Sequence, residues 1–188
     1  MENNARLCKA GEAALVIIDI QERLAAAMPA ETRAAVLRNV GILLQAGGLL
    51  NVPRFLTEQY PAGLGPTESA VLAHLGAAAR RFEKTCFSSC GADGFLEALR
   101  ETGRRQVVLA GMEAHVCVLQ TAVGLLAGGW EVYVAEDAIC SRNPLHQRNA
   151  CRRLERAGAV VTNSESVVFE WLVDARHEHF KAITALVR

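Results

Sequence analysis

The segment QVVLAGMEAHVCVLQTAVGLLAGG, Gln106–Gly129, runs from a Val-rich stretch through a short polar turn into Ala, Leu and Val at helical spacing. It predicts a strand over Gln106–Gly111, a turn, and a helix over Val116–Ala127 that Gly128-Gly129 ends. Working outward, ALVIID (Ala14–Asp19) is apolar on both faces, as a central parallel strand must be. VPRFLTE (Val52–Glu58) reads as a strand with Pro53 near its start, and Arg80–Lys84, Trp130–Asp137 and Ala159–Thr162 as three more. Between the strands lie helical patterns. Thr32–Leu44 is stopped by Gly47-Gly48. Glu68–Leu75, Gly94–Glu101 and Pro144–Ala157 follow, then a helix beginning near Glu165 with Ser164 as its cap, and a last helix over His177–Val187. Tyr60–Pro66 is loop by its Pro and Gly content. Alternation of this kind implies an α/β protein in three layers, α-β-α, around a six-stranded, mostly parallel sheet.

The chain has 188 residues, enough for one domain with a sizeable core. Twenty Lys and Arg against 20 Asp and Glu leave no formal net charge, which argues against nucleic acid as the main partner. No apolar run approaches a membrane span, and the first residues, MENNARLCKAGE, lack the pattern of a signal peptide. Six cysteines, Cys8, Cys86, Cys90, Cys117, Cys140 and Cys151, lack paired spacing and are expected as reduced thiols of a cytoplasmic protein.

Open parallel sheets bind ligands beyond the carboxyl ends of their strands. Those ends carry Asp19, then Glu58 and Gln59, Lys84, Glu113 through Cys117, and Asp137 with Ser141. Taken singly each has a structural reading: a turn cap, a surface charge, a small core residue. Taken together, a carboxylate, an ammonium and a thiol are expected to meet. Cys117 stands at the start of a helix, where unpaired N–H groups and the positive dipole end favour a thiolate and can hold an oxyanion. Asp19 is placed to take its proton, and Lys84 to lower both pKa values. Gln59, Tyr60, Phe87 and Ser88 are candidate pocket walls, and His115 a pocket wall or proton relay.

VIIDIQERL (16–24), RFEKTCFS (81–88) and GMEAHVCVLQTAVGLL (111–126) resemble the three signature segments of the isochorismatase-like cysteine hydrolase superfamily. TEQYPAGLGPT, FEKTCFSSC, DAICSR and the final H-x-x-F-K element resemble more narrowly the subgroup of isochorismatase domain-containing proteins. The resemblance spans residue 11 to the end. It implies one Rossmann-like hydrolase domain over 11–188, behind an N-terminal extension of residues 1–10. It also implies a catalytic triad of Asp19, Lys84 and Cys117, and a non-proline cis peptide at Met112–Glu113. The N–H groups of that turn and of Cys117 would form the oxyanion hole. The nicotinamidase branch carries an Asp-x-His…His metal site. EQYPAGLGPTESAVLAH offers no such pair, so neither a metal nor another cofactor is expected.

The remaining signals are weaker. Cys86 and Cys90 lack further zinc ligands nearby, His177 and His179 read as surface, and Arg152, Arg153 and Arg156 as a solvated face. Gly111 and Gly124 make no dinucleotide fingerprint. The expectation is a homo-oligomeric hydrolase of a small metabolite, cleaving an amide or ester-type bond through a Cys117 thioester. The alternative is an oligomeric scaffold or binding protein whose thiol is structural or redox-active.

Overall fold

The structure, a computed structural model, describes residues 7–188. In chain order the elements are β1 (Ala13–Ile18), α1 (Glu22–Ala26), α2 (Ala30–Leu49), β2 (Arg54–Gln59), α3 (Pro61–Leu64), α4 (Ser69–Leu75), β3 (Arg80–Lys84), a 3-10 turn (Ser89–Gly91) and α5 (Phe95–Glu101). There follow β4 (Gln106–Met112), a π-helical turn (Ala114–Val118), α6 (Leu119–Ala127), β5 (Glu131–Cys140), α7 (Pro144–Ala157), β6 (Val160–Thr162), α8 (Ser164–Leu172) and α9 (Phe180–Leu186).

Six strands form one sheet in the order β3-β2-β1-β4-β5-β6, and every pairing is parallel, where the sequence had implied only mostly so. Both faces of β1 are buried because its side chains alternate between two cores. Leu15 and Ile17 pack with α2, α8 and Ile183 of α9. Ala14, Val16 and Ile18 pack with α5, α6 and α7. This is the three-layer arrangement. The strand order reverses between β1 and β4, so the crevice of the fold opens beyond the ends of those two strands.

The backbones of β1 and β4 crowd at that crevice. Gly111 is paired with Ile18 and has φ 135°. A Cβ there would lie 2.0 Å from the Ile18 carbonyl oxygen, so no other residue fits.

Several boundaries differ from the sequence reading, each with a physical reason. The long helix α2 runs through Gly47 to Leu49. Gly47 is buried inside it, with its open side towards Val52, Leu15 and Trp171, so packing overrides propensity. The cap of α8 is Asn163, whose side chain accepts from the Ser166 amide; Ser164 is already helical. The last helix is confined to Phe180–Leu186. Strand β5 continues past Asp137 to Cys140 through an irregularity in its pairing with β4. The Tyr60–Pro66 loop contains the single turn α3. Cys8 is fully buried, with the Trp171 indole N–H donating to its sulfur at 3.2 Å. None of the six cysteines is paired. Among the described residues no helix is long and apolar enough to cross a membrane.

Candidate active site

Asp19 follows β1 in a left-handed conformation, φ 53°, which turns its carboxylate out of the strand's alternation. Its amide donates to the Thr57 carbonyl at 3.1 Å. Lys84 ends the edge strand β3, two strands away, and its long side chain crosses the end of β2. Lys84 Nζ reaches Asp19 Oδ2 at 2.6 Å, and both side chains are wholly buried. The ammonium's other two partners are Gln59 Oε1 at 2.8 Å and the Phe87 carbonyl at 3.1 Å. With three acceptors for three donors, Lys84 has nothing left to offer a substrate. It anchors the Asp19 charge.

Gln59 is itself held from both sides. Its amide donates to Gln21 Oε1, and its side-chain NH2 to the Thr85 carbonyl. Buried Gln21 donates in turn to the carbonyls of Gln59 and Gly65. Asp19 Oδ1 accepts from the Thr57 hydroxyl at 2.7 Å. Both carboxylate oxygens therefore have a fixed donor.

Cys117 lies in the π-helical turn between β4 and α6 and is 5% exposed. The amides of Val116 and Val118 both donate to the Glu113 carbonyl, so the turn wraps round that oxygen. The Met112–Glu113 peptide bond is cis. The helix start does not leave a free thiolate. Burial first, then the negative charge of Asp19 and a hydrogen bond to it, push the Cys117 thiol up to about 12, although Lys84 pulls the other way. Burial pushes Cys8 and Cys140 equally far, so thiol acidity does not distinguish Cys117. Its company does: of these three thiols only Cys117 faces an acid and a base already paired with each other.

The other candidate residues divide. Gln59 joins the site through Lys84. Phe87 joins through its carbonyl, its ring being 53% exposed. Tyr60 is also exposed and begins α3 at φ 38°. With Pro61, Thr85, Cys86 and Asp93 it lines a pocket of about 490 Å³ that borders Lys84 but neither Asp19 nor Cys117. The Ser88 hydroxyl accepts from the Cys90 amide and donates to the Gln120 carbonyl, so it is a turn cap. His115 Nδ1 lies 2.9 Å from Ser141 Oγ, with its ring 4.7 Å from that of His146. Burial, opposed by Glu113, holds its pKa below the usual value. Burial alone would raise the Glu113 carboxyl. Hydrogen bonds and charge from Arg142, whose amide and guanidinium both donate to it, hold it low.

Two strand-end acids turn out to be structural. Asp137 accepts from the amide and hydroxyl of Ser164, and Glu58 from the amide and hydroxyl of Thr67. Thr57, Ser89, Thr121 and Gln21, all fully buried polar residues, were not among the candidates. Thr57 carried a weak signal, a hydroxyl beside Phe55 and Leu56 just before the polar strand end.

A six-stranded parallel sheet with an acid, an amine and a thiol gathered at its switch point defines a class of three-layer α/β protein with a candidate active site there. The Isochorismatase domain model matches residues 13–166, and the chain belongs to the isochorismatase family. Isochorismatase domain-containing protein 2 of Danio rerio is 37% identical over 175 residues, covering 92% of this chain and 85% of its own. Among solved structures, one described as MAR1 ribonuclease from Caenorhabditis elegans has a TM-score of 0.91 at 33% identity, covering 97% of this chain and 92% of that one. Another, YcaC from Pseudomonas aeruginosa with hexane-2,5-diol and covalent acrylamide, has a TM-score of 0.90 at 26% identity, with coverage of 97% and 92%.

Proposed function

We propose that the chain is a cysteine hydrolase that cleaves an amide or ester-type bond in a small metabolite through a thioester on Cys117. The observation that carries this reading is the fully buried Asp19–Lys84 pair set against a buried thiol. An unpaired thiol in the core needs no such machinery, which disfavours a purely structural cysteine. The relative described with covalent acrylamide supports an electrophile-capturing site in this fold.

In this mechanism Asp19 takes the Cys117 proton as the sulfur attacks the substrate carbonyl carbon. The carbonyl oxygen becomes an oxyanion held by the N–H groups of Glu113 and Cys117. Collapse expels the amine or alkoxide, which leaves with the proton from Asp19. Water then gives a proton to Asp19 and attacks the thioester, and Cys117 departs as a thiol once Asp19 returns that proton. Lys84 holds the Asp19 carboxylate in place between steps. Tyr60 and His115 stand at the rims as substrate contacts, and no metal takes part. Homo-oligomerisation belongs to the same reading, supported by the exposed apolar side chains Leu7, Phe169 and Val173, which line one surface hollow.

The test is intact-protein mass spectrometry after exposure to a panel of small amides and esters. Wild type is expected to gain an acyl mass that a Cys117→Ala variant does not. An adduct retained by the variant, or turnover without Cys117, overturns the assignment.

A further inference from the structure

We infer that Thr57, Ser89 and Thr121 form a one-way hydroxyl chain that positions Asp19 from the nucleophile's own helix. The inference rests on the proposed role of Asp19 as the base for Cys117. The chain begins at the Ser89 amide, which donates to Thr121 Oγ1 at 2.8 Å. Thr121 Oγ1 then donates to Ser89 Oγ at 3.2 Å, Ser89 Oγ to Thr57 Oγ1 at 3.5 Å, and Thr57 Oγ1 to Asp19 Oδ1 at 2.7 Å. All four residues are fully buried.

The direction is forced by its two ends. A backbone amide only donates and a carboxylate only accepts, so each hydroxyl hydrogen between them points towards Asp19. Donors aligned in series polarise one another, and the last one faces a charge in a dry interior, where it is strongest. The chain also crosses the fold. Thr57 is on β2, Ser89 on the turn after β3, and Thr121 on α6, one helical turn beyond Cys117 and on the same side. A shift of the nucleophile's helix is thereby felt at the base. With Lys84 fixing Oδ2, Thr57 fixes the remaining rotation of the carboxylate. Thr57, Ser89 and Thr121 are positioning residues, since none of them is placed against the reacting sulfur.

The experiment follows Cys117 alkylation by iodoacetamide against pH, read by intact mass, in the full-length protein. Alkylation follows the thiolate, so the rising limb of the profile reports where Cys117 ionises, which the charge and hydrogen bond of Asp19 push up. Thr57→Val removes the donor that fixes the Asp19 carboxylate, which then holds the Cys117 proton more tightly, so this limb moves up by about one unit. Thr57→Ser restores it, and Ser89→Ala moves it by a smaller amount in the same direction. A merely structural role would lower the melting temperature and leave the limb in place, which overturns the inference. If Thr57→Val does not fold, the Ser89→Ala shift decides the matter alone. Failure of the underlying reading looks different: the limb would then lie at the wild-type pH in Asp19→Asn. A limb unmoved by Thr57→Val but lowered by Asp19→Asn refutes the hydroxyl chain only.

Discussion

Lys84 Nζ sits 2.6 Å from Asp19 Oδ2 with both side chains out of contact with solvent, so each charge depends on the other for its place in the interior. Desolvating two ions is costly, and their attraction offsets this only when the remaining donors and acceptors are matched. Here they are: Gln59 and Phe87 complete the ammonium, and Thr57 the carboxylate. The pair is thus evidence for function before it is evidence for stability.

Removing one partner strands the other. Lys84→Met is expected to destabilise the protein by about 3–5 kcal/mol, and Asp19→Asn by a comparable amount. The double variant, with neither charge left, should lose clearly less than the sum. Urea denaturation of the four proteins measures this, and additive losses would show that the two groups do not act as a pair. Lys84→Met also deletes the cation that lowers the Cys117 pKa, so the thiol should titrate still higher.

Asp19→Asn separates acidity from catalysis. Asp19 raises the Cys117 pKa both by its charge and by its hydrogen bond. Neutralising it should therefore lower that pKa and speed alkylation at pH 9 by about tenfold for each unit gained. Turnover should fall by about 100-fold or more, because the general base is gone. Slower alkylation together with lost turnover would mean that Asp19 supports the thiolate rather than opposing it.

Gly111→Ala tests the crowding at the switch point. The Cβ would strike the Ile18 carbonyl at 2.0 Å on a backbone that alanine disfavours. A loss of about 3 kcal/mol or more is expected in thermal or urea unfolding, with Cys117 alkylation also changed because the turn that carries Cys117 begins three residues later. By contrast, Gly129→Ala has open space around it and only backbone strain at φ 87°, so it should cost less.

The sheet and the meeting of Asp19, Lys84 and Cys117 at its switch point were legible in sequence because both rest on local signals. Apolar runs of strand length mark β1 and β4, and the first polar residue after each run marks the crevice. Tertiary choices were not legible. Gly47 looked like a helix stop until packing against Leu15 and Trp171 kept the helix going. Asp137 looked like a site acid until Ser164 claimed it. The expected thiolate failed for a similar reason. The helix-start argument counts favourable N–H groups, but the depth of burial and the facing charge of Asp19 are set by residues about 100 positions away. Hydroxyls such as Ser89 and Thr121 carry no distinguishing pattern in one dimension.

The buried thiols also set an alkaline limit on stability. Cys8, Cys117 and Cys140 are each pushed up to about 12, mainly by burial, whereas an unfolded thiol ionises at about 8.5. A folded pKa raised above the unfolded one gives a contribution that is whole below about pH 8.5 and is lost as pH rises towards the folded value. Stability should thus decline steadily from about pH 8.5 to 12, as the unfolded chain releases protons that the folded chain keeps. Cys140→Ala removes one of the three groups without touching Asp19, Lys84 or Cys117. Its stability at neutral pH falls because a small cavity opens, but its slope against pH in that window should be shallower than that of wild type. Urea unfolding at half-unit steps from pH 7.5 to 10.5 measures the slope, and equal slopes would mean that Cys140 ionises as readily in the folded chain as in the unfolded one.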